Sequence, residues 1–176
     1  MRRMITVPDR PRVGVSACLL GERVRYDGGD KRDAWLVEIL GPEVDWMPVC
    51  PEVEAGFGTP REPMNLGRDA RGRIVLVTDR ARDDLTTRMI DFASRRVEEL
   101  AGAGLDGYVL KAGSPSCGLD VAVDGGAGRG RGMFAAALTG RMPGLPLADE
   151  RELADPAARD SFVARVFAHH RQRKIR

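Results

Sequence analysis

Short apolar runs alternate along the chain with longer stretches in which apolar residues recur at helical spacing. Val13 to Ser16 is the first run and leads directly to Cys18. Asp45 to Val49, Ile74 to Thr78, Tyr108 to Lys111 and Leu145 to Ala148 follow, each short and apolar enough to be a strand. Between them, Asp30 stands as a helix cap before Trp35, Leu36, Ile39 and Leu40, and Gly41-Pro42 ends that helix. Asp84 caps a longer amphipathic helix carrying Leu85, Met89, Phe92, Val97 and Leu100, closed by Gly102 and Gly104. A short helix from Met133 to about Thr139 and a last one from about Pro156 to His170 complete the pattern.

This alternation predicts an α/β fold with a mostly parallel sheet flanked by helices, a Rossmann-like three-layer sandwich. It is expected to form a single domain over residues 1–176, with its core at about 13–150 and the C-terminal helix at about 156–170. Leu145 to Ala148 is expected at a sheet edge because it contains Pro146. Residues 51–72 are rich in Pro, Gly, Glu and Arg and read as one long loop, of the kind that usually carries function or is disordered.

Composition narrows the field without naming a chemistry. With 176 residues there is room for one proper core. Lys and Arg number 28 against 26 Asp and Glu, a net charge of +2 that gives no argument for nucleic acid or membrane. The stretch Met1 to Arg10 is basic but has no apolar region before Pro8 and Asp9, so it does not read as a secretory signal. No apolar run approaches the roughly 20 residues that span a bilayer. A cytoplasmic location is therefore expected. There thiols stay reduced, and cysteines serve as metal ligands, catalytic groups or core fillers.

The three cysteines, Cys18, Cys50 and Cys117, each follow an expected strand. In open parallel sheets ligands bind outside the carboxyl ends of the strands, so parallel strands would bring the three thiols to one rim. A structural zinc site wants four ligands, usually in close pairs, and no Cys-x-x-Cys pair exists. His169 and His170 lie in a basic helix end and read as solvent-facing. A [4Fe–4S] cluster on three cysteines keeps one iron open, a Lewis-acidic metal in a crevice. Spacing leaves a second reading open, in which the thiols are unrelated buried fillers. Glu52 follows Cys50-Pro51, Ser114 precedes Cys117, and Asp27 lies in the loop after Cys18. If the cysteines meet, these three meet with them as acid/base and hydrogen-bonding candidates; otherwise they are ordinary loop and turn residues.

Taken together, Val15-Ser16-Ala17-Cys18-Leu19-Leu20-Gly21, Arg25-Tyr26-Asp27-Gly28-Gly29, Val49-Cys50-Pro51-Glu52, Thr59-Pro60-Arg61, Leu110-Lys111 and Ser114-Pro115-Ser116-Cys117-Gly118 resemble the bacterial thiouracil desulfurase family over roughly residues 13–150. The resemblance implies a [4Fe–4S] cluster as cofactor, with Cys18, Cys50 and Cys117 as its metal ligands. It implies non-redox removal of sulfur from a thiolated pyrimidine such as 2-thiouracil, so the partner is a small thiobase or thionucleoside rather than a membrane or nucleic acid. It places Glu52 and Ser114 among the catalytic groups, with Asp27 beside them. The chain departs from the family in having Val24 where many members carry a further cysteine, and Glu54-Ala55-Gly56 where paired glycines are usual.

Two further stretches carry weaker signals. Gly126 to Gly132 reads as a mobile glycine-rich loop that lacks phosphate-loop spacing. The basic tail after His169 suits a solvated helix end. Two rivals to the enzyme stand beside it: a non-catalytic iron–sulfur carrier or sensor, and a zinc-stabilised RNA-binding module.

Overall fold

In the computed structural model, the chain is described over residues 9–175. The stretch Met1 to Pro8, read above for a secretory signal, lies outside the described residues. Strands are β1 (Arg12–Ser16), β2 (Asp45–Val49), β3 (Met64–Arg68), β4 (Ile74–Thr78), β5 (Gly107–Leu110), β6 (Val121–Val123), β7 (Gly128–Gly130) and β8 (Leu147–Asp149). Helices are α1 (Pro51–Glu54), α2 (Thr86–Ala103), α3 (Met133–Arg141) and α4 (Pro156–Ile175).

The first sheet is parallel throughout, in the order β2-β1-β5-β8. All of β5 is buried, as expected for a parallel sheet covered on both faces. Tyr108 and Leu110 face one core, shared with Met89, Phe92, Val97 and Leu100 of α2 and Phe134 and Leu138 of α3. Val109 faces the other, with Val13 and Val15 of β1, Leu36 and Leu40, and Phe162 and Val166 of α4. This period-two division of one strand between two helical layers is the expected three-layer α/β sandwich. Gly14 is required where β1 passes Tyr108, since a Cβ there would lie 2.1 Å from the ring.

Several local expectations change. A second four-stranded sheet, in the order β4-β3-β6-β7, packs Met64, Leu66, Leu76, Val121 and Val123 onto the first core. Ile74 to Thr78 is therefore a strand, but it pairs antiparallel with β3 rather than joining the parallel sheet. The stretch 51–72 contains α1 and β3 instead of one long loop. The glycine-rich segment forms the β6–β7 hairpin, with Gly125 and Gly126 at positive φ in the turn. The first helix begins later than expected: Asp33 caps it by accepting the Leu36 N–H at 3.0 Å, while Asp30 closes a preceding turn through the Arg32 N–H. The following turn, Trp35–Leu40, is wound as a π-helix.

The tail is more anchored than its composition suggested. α4 runs on to Ile175, and His170 is buried rather than solvent-facing. Its Nδ1 lies 2.8 Å from Asp106 Oδ2, and Asp106 also accepts from the Arg12 N–H and twice from Arg173. The C-terminal helix is thereby tied to the entry of β1 and β5. No helix among the described residues is long and apolar enough to cross a membrane.

Candidate active site

β1, β2 and β5 point the same way and end at one edge of the sheet, with Ser16 paired to Val49 in register. From β1 the chain crosses to β2 on one side, and β5 pairs with β1 on the other, so the crevice outside these strand ends is where such a sheet binds ligands. Cys18, Cys50 and Cys117 all line one cavity there, of about 450 Å³, together with Glu52, Ser114, Arg25, Arg61 and Lys111. All three cysteines are free thiols. Burial pushes the Cys18 thiol up to about 11, with Arg25 opposing and Cys50 adding to the shift. Burial also raises Cys50 and Cys117, and each thiol responds to charge on neighbouring groups of the same cavity. Thiolates in this position call for cationic partners.

The donor set discriminates between metal centres. No group of three His, Cys, Asp or Glu among the described residues converges closely enough to hold one metal ion. Three thiols lining one cavity fit a cluster that would keep one iron free of protein ligands. They do not make a four-ligand tetrahedral zinc site.

The Cys117 loop is shaped by its small residues. Ser114 Oγ accepts the Ser116 N–H at 3.2 Å and the Cys117 N–H at 3.1 Å, and the Ser114 carbonyl accepts from Gly118 N–H at 2.8 Å. Gly132, at the start of α3, lies against the Ser116–Cys117 peptide so closely that a Cβ would come within 2.6 Å of it. Ser16 Oγ accepts the Lys111 N–H at 2.9 Å and so links the ends of β1 and β5.

Glu52 sits on α1 with its side chain 12% exposed. Its Oε1 accepts from Ser116 Oγ at 2.9 Å, and its Oε2 accepts from Arg61 Nε at 2.8 Å and Nη2 at 2.5 Å. Arg61 also donates through Nη1 to the carbonyls of Val24 and Gly58. The same Val24 carbonyl faces the Cys50 thiol at 3.8 Å. One guanidinium therefore joins the carboxylate to the loop that follows Cys18. Also lining the cavity, Lys111 has its Nζ held by Glu150 at 2.5 Å and by the Ala112 carbonyl.

Residues 13–150 match the 2-thiouracil desulfurase family model. The chain belongs to this family. It is similar in structure to a [4Fe–4S]-dependent thiouracil desulfidase, TudS, with 33% identity, a TM-score of 0.67, and coverage of 86% of this chain and 99% of that one. It is also 29% identical over 149 residues to the uncharacterized protein YbbK of Bacillus subtilis, covering 80% of this chain and 97% of that protein.

In this desulfurase-family chain, five of the six site residues expected from sequence line one cavity: the three cysteines, Glu52 and Ser114. Asp27 does not. Its side chain is 52% exposed, and its Oδ1 accepts the Gly29 N–H at 2.9 Å, a bond that holds its carboxyl below the usual carboxylate range and folds its own turn. The residues that sequence reasoning left without a role are Arg25, Arg61, Lys111 and Ser116. The family motifs contain all four, but nothing local in the chain tells a buried loop arginine from a solvated one.

Proposed function

We propose that this chain removes sulfur from a thiolated pyrimidine such as 2-thiouracil, using a [4Fe–4S] cluster held by Cys18, Cys50 and Cys117. The observation that carries this reading is a single cavity walled by three free thiols and a buried carboxylate, Glu52. Family membership and the [4Fe–4S]-dependent desulfidase of similar fold support it. The net reaction is hydrolysis: a C=S bond and water become a C=O bond and hydrogen sulfide, and no electrons are exchanged.

When bound, the cluster would supply a thiophilic Lewis-acidic iron that polarises the thiocarbonyl carbon. The remaining work falls to the chain's own groups. Glu52 takes a proton from the attacking water and returns one to the departing sulfide, as a general base and then a general acid. Its two oxygens are fixed by Ser116 and Arg61, yet an ionised carboxylate has about four acceptor positions, so one remains for water. Ser114 Oγ already accepts two amide N–H groups, which leaves its hydroxyl hydrogen free to donate to the substrate. Asp27 is assigned no chemical step.

Anaerobic reconstitution with iron and sulfide tests the proposal. Loaded protein should be brown, contain iron and inorganic sulfide in equal amounts, and convert 2-thiouracil to uracil with one sulfide released per turnover. A fully loaded protein that releases no sulfide overturns it.

A further inference from the structure

Five cationic side chains line the cavity: Arg25, Lys31, Arg61, Lys111 and Arg151. Arg61 is satisfied by Glu52 and two carbonyls, and Lys111 by Glu150 and the Ala112 carbonyl. Lys31 and Arg151 are exposed at the rim. Arg25 differs from all of these. Its Nε is buried and has no hydrogen-bond partner. The nearest carboxylate oxygen, on Asp27, is 3.8 Å away, too far for a hydrogen bond.

The backbone of Arg25 is fixed on both sides. Its carbonyl accepts from Thr59 Oγ1 at 2.7 Å and from the Gly28 N–H at 3.0 Å, and its own N–H donates to the Gly29 carbonyl at 3.2 Å. The side chain stacks on the Tyr26 ring, with 5.5 Å to the centroid. The side chain is 21% exposed and its Nε lacks an acceptor, so the guanidinium has unused donors. Arg25 lines the same cavity as Cys18, Cys50 and Cys117. A pyrimidine bound in that cavity therefore shares it with this guanidinium.

We propose that Arg25 is a substrate-binding residue whose guanidinium donates to a carbonyl oxygen on the ring of the thiolated pyrimidine. It thereby selects bases that carry an oxygen as well as a sulfur. The proposal rests on the desulfuration reading and deepens it. The chemistry is one of specificity: a site with a buried donor rejects an analogue that leaves the donor unpaired far more strongly than an apolar wall rejects a missing methylene.

The experiment compares 2-thiouracil with pyrimidine-2-thione, which lacks the second oxygen, on the loaded wild type, Arg25→Met and Arg25→Lys. Wild type should prefer 2-thiouracil. Arg25→Met should lose about 10- to 100-fold in kcat/KM on 2-thiouracil, mostly through KM, and less than about threefold on pyrimidine-2-thione. Arg25→Lys, which keeps the charge without the planar guanidinium, should recover only part of the loss. Rates are compared per bound iron in all three proteins.

A second readout needs no turnover. Iron-free wild type should bind the product uracil about tenfold tighter than pyrimidin-2-one, which lacks the same oxygen, and Arg25→Met should erase that difference. Equal losses on both thiobases, or equal wild-type affinities for uracil and pyrimidin-2-one, overturn the proposal. If wild type releases sulfide from neither thiobase, the desulfuration reading fails, and the titration still decides the role of Arg25. If Arg25→Met does not fold, Arg25→Lys takes its place in the titration and should narrow the difference.

Discussion

Arg61 places two hydrogen bonds on one oxygen of Glu52, from Nε at 2.8 Å and Nη2 at 2.5 Å, and leaves the other oxygen to Ser116. Both partners are nearly closed to solvent, at 7% and 12% side-chain exposure. Arg61→Ala would strand a buried carboxylate. It should cost about 3–5 kcal/mol in urea unfolding of the iron-free protein. Displacement of Glu52 should also lower sulfide release by about 100-fold. Arg61→Lys keeps the charge but cannot reach Glu52 and both carbonyls at once, so its unfolding midpoint should fall between the two.

Glu52→Gln keeps the size of the side chain and removes the proton acceptor. Sulfide release should fall by about 10²- to 10⁴-fold while the visible absorbance of the cluster stays intact. A Gln variant as active as wild type would exclude Glu52 from the chemistry.

Gly132→Ala tests the Cys117 loop without touching a ligand. The added methyl has backbone on its near side, the Ser116 carbonyl group and the Cys117 nitrogen, and neither can rotate away. The loop must shift. Iron retained after anaerobic desalting should drop well below wild type, and the unfolding free energy should fall by about 1–3 kcal/mol. Full iron retention would show that the cysteine loop tolerates displacement.

Asp106 makes part of the fold's stability depend on pH. Burial pushes its carboxyl up, but donors from Arg173, the Arg12 N–H and the two histidines outweigh that and hold it below the usual range. The depressed folded-state value means its contribution is fully present above the unfolded value of about 3.9 and is lost as pH falls through the folded one. Asp106→Asn should therefore cost about 2–3 kcal/mol at pH 7, trimmed by the partial solvation of Arg173. The gap between the variant and wild-type denaturation curves should narrow below about pH 4. A gap that stays constant from pH 7 to pH 3 would assign the loss to packing.

The parallel sheet and the placement of the cysteines were legible because β1, β2 and β5 are short apolar runs and each leads straight into a cysteine-bearing loop. The second sheet was not. β3 reads Met-Asn-Leu-Gly-Arg between loop residues, and β7 is Gly-Arg-Gly, so neither carries a strand's usual side chains. Their pairing supplies the structure that their sequences do not announce. His170 was misread for a related reason: its burial depends on Asp106, 64 residues away in the chain. Arg25 and Arg61 look like solvated loop charges until the walls of the cavity close around them.

The three cysteines come from three separate loops, after β1, β2 and β5. No short peptide of this chain holds two of them, so a nascent or unravelled chain has no local grip on iron. On the proposed ligand set, metal capture would wait for β1, β2 and β5 to assemble, strands that span residue 12 to residue 110. Cluster loading would then act as a proofreading signal, reporting that strands remote in sequence have found one another.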